Sequence, residues 1–94
     1  MLTYKLLLNI LKRVVVECRR RFGETAVELV KERRGKYEIY MRIGNRRVKV
    51  IVSKNLVEVR VYSRLTGMDI SLRRIFAKEY EKELRLRRSG EKPI

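Results

Sequence analysis

Residues Lys36–Ser63 read KYEIYMRIGNRRVKVIVSKNLVEVRVYS, and the alternation in this stretch decides the fold. Tyr37, Ile39, Met41 and Ile43 recur at every second position, followed by Val48, Val50 and Val52, and then by Val57, Val59 and Val61. A period of two is the signature of a strand with one buried face. Gly44-Asn45 separates the first two runs and is a strong two-residue hairpin signal. Lys54-Asn55 separates the second run from the third. Three strands are therefore expected, at Lys36–Ile43, Arg46–Ser53 and about Leu56–Ser63. A fourth is expected upstream at Thr25–Glu32, joined through the three-residue loop Arg33-Arg34-Gly35, with glycine where a left-handed residue is wanted.

These turns fix registers that can be checked against one another. A two-residue turn at Gly44-Asn45 pairs Met41 with Val48, Ile39 with Val50 and Tyr37 with Val52. One at Lys54-Asn55 pairs Val48 with Val61, Val50 with Val59 and Val52 with Val57. The loop at Arg34 pairs Val27 with Met41 and Leu29 with Ile39. All three choices put the alternating apolar residues on one face, and a slip of one residue would destroy that agreement.

Working outward, a helix is expected over about Leu2–Phe22. Leu7, Leu11, Val14, Cys18 and Phe22 form its apolar stripe, broadened by Ile10 and Val15. Arg19, Arg20 and Arg21 complement the dipole in its last turn, and Gly23 ends it. A second helix, capped by Asp69 or Ser71 and reaching about Arg88, carries Leu72, Ile75, Phe76, Tyr80 and Leu84 on one face. The fold class is α+β, ordered α-β-β-β-β-α: a four-stranded antiparallel meander with two helices packed on one face. Residues 1–88 form one domain and 89–94 a flexible tail.

The same registers set the outward face. Its expected rows are Glu28, Tyr40, Lys49, Arg60; then Ala26, Arg42, Arg47, Tyr62; then Val30, Glu38, Ile51, Glu58. Arg42 is expected opposite Arg47, and Lys49 opposite Arg60. Like charges opposed across strands weaken a sheet, and a phosphate backbone between them would reverse that effect. Tyr40 and Tyr62 would stack on bases. Such a surface suits single strands better than a duplex groove.

The whole chain points the same way. Twenty-five Lys and Arg against eleven Asp and Glu give 94 residues a formal charge of +14. Self-repulsion of that size is explained by an anionic partner. Abundant Arg, Lys, Glu and Val, with no His, Gln or Trp, also resemble the composition of hyperthermophile proteins. That enrichment adds acids with bases, so it does not account for the imbalance. Secondary basic patches are expected at Arg19, Arg20 and Arg21 near Arg33 and Arg34, and at Arg73 and Arg74 with Arg85, Arg87 and Arg88 on the second helix.

Catalytic residues are not expected. There is no histidine, and the single Cys18 lies in an apolar stripe as a buried thiol. No cofactor is implied, because phosphate-cradling and dinucleotide motifs are absent. No metal site is expected either, since Glu79, Glu81 and Glu83 diverge around a helix. The lone cysteine and the absence of a secretory signal fit a cytoplasmic protein. The polar breaks at Lys5, Asn9, Lys12 and Arg13 exclude a membrane span in the first helix.

The leading expectation is a small nucleic-acid-binding protein, single-stranded DNA or RNA favoured, acting through Tyr40, Arg42, Arg47, Lys49, Arg60 and Tyr62. The runner-up is an accessory subunit of a nucleic-acid-processing complex, docked on an acidic protein partner. A homodimer burying the basic face is a further alternative. Another is a ribonuclease using only Arg, Lys and Tyr, of the size and charge of RelE-kind toxins but matching no motif of theirs. A four-stranded antiparallel sheet followed by a helix is also similar to single-strand-binding coactivator and Whirly-type proteins, a likeness of architecture alone.

Overall fold

The computed structural model describes residues 2–55, 58–64 and 66–91, with the side chains of Thr66 and of residues 87–91 left aside. Helix α1 spans Tyr4–Phe22, and strands β1 (Thr25–Arg33), β2 (Lys36–Ile43), β3 (Arg46–Ser53) and β4 (Val59–Tyr62) follow, then helix α2 (Thr66–Glu91). The strands form one antiparallel sheet in the order β1-β2-β3-β4. This is the α+β meander expected from the alternation.

Helix α1 starts where Thr3 caps it, its hydroxyl accepting the Leu6 N–H at 3.2 Å. It stops at Gly23, whose φ of 99° lies in the region that favours glycine and whose N–H reaches the Arg19 carbonyl. Leu6, Leu7, Ile10, Leu11, Val14 and Cys18 are buried along one stripe. Burial also pushes the Cys18 thiol up to about 11, so it stays protonated and inert at neutral pH. From α2, Leu72, Ile75, Phe76 and Tyr80 complete the core over the inner sheet face, where Ile39, Met41, Val48 and Val50 are covered. Helix α1 lies over the β1 side and α2 over the β4 side, and the helices touch each other.

Helix α2 departs from expectation at its start. It begins at Thr66, so Asp69 and Ser71 lie inside it rather than capping it. Asp69 falls in the first turn, where its charge suits the helix dipole, and accepts a hydrogen bond from the Ser63 hydroxyl. The helix continues to Glu91, past the expected end near Arg88; residues 92–94 of the expected tail lie outside the described residues.

Glu79 and Glu83, four residues apart, share the side of α2 that meets α1, while Glu81 is exposed. Glu83 accepts from Asn9 at 3.2 Å and pairs with Arg13 at 2.7 Å. The helix–helix contact thus contains a buried polar strip. No group of three or more His, Cys, Asp or Glu among the described residues is placed to hold a metal.

Two registers differ from those expected, for separate reasons. The β1–β2 turn is the two-residue Arg34-Gly35, with Arg33 paired to Lys36 and Gly35 at φ 67°. The two-residue turn closes because Gly35 takes its left-handed φ without strain. By itself it would turn the far end of β1 inside out, and a bulge between Val27 and Leu29 absorbs the extra residue. Val27 therefore still faces Met41, but Ile39 receives Val30, and Leu29 moves to the outer face opposite Tyr40.

Between β3 and β4 the connection is longer than Lys54-Asn55, with the Ser53 N–H bonding the Glu58 carbonyl. Val50 pairs with Val61 and Val52 with Val59, a slip of two residues from the expected register. The expected start of this strand at Leu56 and Val57 lies outside the described residues. The Gly44-Asn45 hairpin stands as expected, pairing Met41 with Val48, Ile39 with Val50 and Tyr37 with Val52.

Candidate nucleic-acid interface

Alternation along β2, β3 and β4 sends Tyr40, Arg42, Arg47, Lys49, Arg60 and Tyr62 to the outer face together. The altered registers change their neighbours. The rows are Ala26, Arg42, Arg47; then Leu29, Tyr40, Lys49, Tyr62; then Lys31, Glu38, Ile51, Arg60. Successive rows stand about 6.7 Å apart along the strands.

Arg42 faces Arg47, as expected. Lys49 does not face Arg60, because the two-residue slip of β4 brings Tyr62 opposite Lys49 and Arg60 opposite Ile51. The consequence is an aromatic row. Tyr40 and Tyr62 flank Lys49 on the two neighbouring strands, roughly 10 Å apart across the sheet. The Lys49 ammonium lies 5.8 Å from the Tyr40 ring centroid, and the Lys31 ammonium 5.6 Å from it. Both are within the range of cation–π attraction. Tyr62 is 52% exposed. Around this row the surface dips into a depression of about 410 Å³, to which Arg47 and Leu29 also contribute.

The cations are less naked than the alternation implied. Arg42 pairs with Glu28 at 3.2 Å, Lys49 with Glu38 at 3.2 Å, and Arg60 with Glu58 at 2.9 Å. Glu38 also receives Arg33 at 2.8 Å and is almost covered by its two partners. The Arg33 hydrogen bond, then that of Lys49, holds its carboxyl below the usual carboxylate range. The same contact raises Lys49, and Glu58 raises Arg60. Glu38 was expected in a row with Val30, Ile51 and Glu58, beside the basic rows. It sits inside the patch instead, because the register places Lys31 and Arg60 in its row. Arg47 has no ion pair among the described residues.

The secondary clusters separate. Arg19 donates to the Thr25 carbonyl at 3.2 Å, and Arg20 and Arg21 bind Glu17 at 2.7 and 2.8 Å. These contacts hold the Glu17 carboxyl down at about 2, with Arg20 the largest cause. Arg33 and Arg34 were expected nearby, but they lie at the opposite end of β1, roughly 26 Å along the strand from Thr25. There Arg34, Lys36 and Arg60 line a second depression of about 280 Å³. Arg73, Arg74 and Arg85 are exposed on α2, away from these rows, and the side chains of Arg87 and Arg88 lie outside the described residues.

Sequence reasoning missed Leu29, Lys31 and the Lys36 end of the face. Alternation from a three-residue loop turns Leu29 inward, and the two-residue turn reverses it, with the bulge keeping Val27 inward. No helix among the described residues is long and apolar enough to cross a membrane. Comparison of the chain with protein-family models, with curated proteins and with solved structures finds no match.

Proposed function

We propose that this protein binds single-stranded DNA or RNA across the outer face of its sheet, acting by binding rather than catalysis. The observation that carries this reading is the row Tyr40–Lys49–Tyr62, bordered by the facing pair Arg42 and Arg47. Two aromatic rings with a cation between them offer stacking and phosphate neutralisation at neighbouring positions, the combination that single-strand surfaces use. Arg47, without an acid of its own among the described residues, is the first phosphate contact. Arg42 and Arg60 exchange exposed carboxylate partners for phosphates as the strand settles, and Lys49 turns from the covered Glu38 to a phosphate. The formal charge of +14 draws the polyanion in. In this reading the protein works in the cytoplasm, and its amide-poor, Arg- and Glu-rich composition suits a hot cell.

The test is an anisotropy titration of the full chain with labelled single-stranded DNA, RNA and duplex at several salt concentrations. Four phosphate contacts give a slope of log K against log salt of about −3 on single strands. Tyr40→Ala and Tyr62→Ala should each weaken single-strand binding by about 1–3 kcal/mol and duplex binding by less. Equal losses on both substrates would remove stacking from the account, and a salt-independent affinity would remove the phosphates.

A further inference from the structure

The depression beside the Tyr40–Lys49–Tyr62 row holds an acid. Of the described residues that line its 410 Å³, Glu28 alone carries a carboxylate, among Arg47, Lys49, Leu29 and the two tyrosines. A space of this size is in the range that encloses small organic groups. Glu28 is also the extra residue of the β1 bulge, set between Val27 opposite Met41 and Leu29 opposite Tyr40. Bulges re-aim side chains beside functional sites. This one brings two consecutive residues, Glu28 and Leu29, to the outer surface beside Tyr40.

The other acids of the face are placed differently. Glu38 is almost covered between Arg33 and Lys49, and Glu58 lies with Arg34, Lys36 and Arg60 around the second depression. Glu28 keeps its side chain 40% exposed, and its printed partner is Arg42, 3.2 Å from Oε2. Its Oε1 has no partner among the described residues. A carboxylate repels phosphate, so on a surface for a polyanion its natural partner is a base edge rich in N–H donors.

The strands set out the parts of a nucleotide in order. Arg47 lies on β3, Tyr40 on β2 and Glu28 on β1, across two strand spacings or roughly 10 Å. A phosphate at Arg47 lets its base stack on Tyr40 with the outer edge toward Glu28. In a single strand that Watson–Crick edge is open to hydrogen bonding. Guanine presents two adjacent donors there, N1–H and the 2-amino group, and a carboxylate has two oxygens to accept them. Cytosine and adenine set one amino donor beside a ring-nitrogen acceptor, and thymine and uracil set one N–H between two carbonyls.

We infer that Glu28 selects guanine in a strand bound on this face, accepting N1–H and the 2-amino group with its two oxygens while the base stacks on Tyr40. The inference rests on the single-strand reading and gives it a base preference. When Arg42 turns to a phosphate, Glu28 Oε2 is released to the base.

The experiment measures anisotropy of labelled oligothymidine nonamers, with guanine, hypoxanthine, cytosine or thymine at the central position, titrated with the full chain. The guanine oligomer should bind about tenfold more tightly than the thymine one. Hypoxanthine keeps N1–H but lacks the 2-amino group, and should lose most of that advantage. Glu28→Gln, at an exposed position, should leave thermal melting unchanged. It should strengthen oligothymidine binding by removing an acid from the face, and should move the preference from guanine to cytosine, whose donor and acceptor match an amide. Equal affinity for the guanine, hypoxanthine and thymine oligomers would overturn the inference and leave the proposed function standing. So would a guanine preference that survives Glu28→Gln, which would mean that the carboxylate serves Arg42 alone. Failure of every oligomer to bind would remove the proposed function and this inference together.

Discussion

On the inner face of the sheet Ile39, Met41, Val48 and Val50 are covered by the two helices. One position along each strand, Arg42 and Arg47 are exposed and Tyr40 and Lys49 only half-buried. The two faces differ in how they respond to register. Burial of aliphatic side chains is non-directional, so the inner face asks only that each apolar residue point inward. A slip of two residues preserves that, and β4 has slipped by two with Val59 and Val61 still buried. The outer face works through pairs, and the same slip replaces a Lys49–Arg60 opposition with a Tyr40–Lys49–Tyr62 row. Burial therefore tolerates an even slip that rearranges every outer pair it touches.

The largest effect should come from truncation on the inner face. Ile39→Ala should cost about 2–5 kcal/mol in urea unfolding. Arg42→Ala, three residues along the same strand and facing outward, should stay within about 0.5 kcal/mol. Similar losses for the two would break the distinction between the faces.

An intermediate effect is expected at Glu38, which occupies two of the outer cations. Glu38→Gln should release Lys49 without competition and free Arg33 as an added phosphate contact, strengthen single-strand binding several-fold at low salt, and steepen the salt slope by about 0.7 for Arg33. Unchanged affinity in the anisotropy titration would mean that these cations do not face the ligand.

The smallest effect is a pH dependence confined to the charged surfaces. Glu17 is held at about 2 against an ordinary 4.5, and Glu38 is also lowered. Both carboxyls bind protons more tightly in the unfolded chain, so their stabilisation is complete above about 4.5 and is lost as the pH falls toward 2. Urea midpoints should decline through that window, and Glu17→Gln should flatten part of the decline. A midpoint that rises on acidification would contradict the ion-pair geometry. Cys18, raised to about 11 by burial, does not titrate in that window.

The legible part of the site was its face; the illegible part was its arrangement. All six residues singled out by alternation reach the outer surface together, because side-chain direction follows from strand parity alone. Their acid partners could not be read, since Glu28, Glu38 and Glu58 find Arg42, Lys49 and Arg60 only after registers are settled. Nor was Leu29 readable as an outer residue, since neither the shorter turn nor the bulge that compensates it leaves a mark in a run such as Ala-Val-Glu-Leu-Val.

The sequence by itself determined the order of elements, the Gly44-Asn45 hairpin, the inner face and the sign of the outer one, all from local periodicity, turn chemistry and net charge. Tertiary structure alone decided the bulge in β1, the slip of β4, the place of Glu38 within the patch and the Glu79–Glu83 strip between the helices. The sheet features depend on how far each strand is displaced along its neighbour beneath the helices, and the strip on how α1 meets α2. Side chains of the same parity are energetically alike there, so only packing of the whole chain chooses among them.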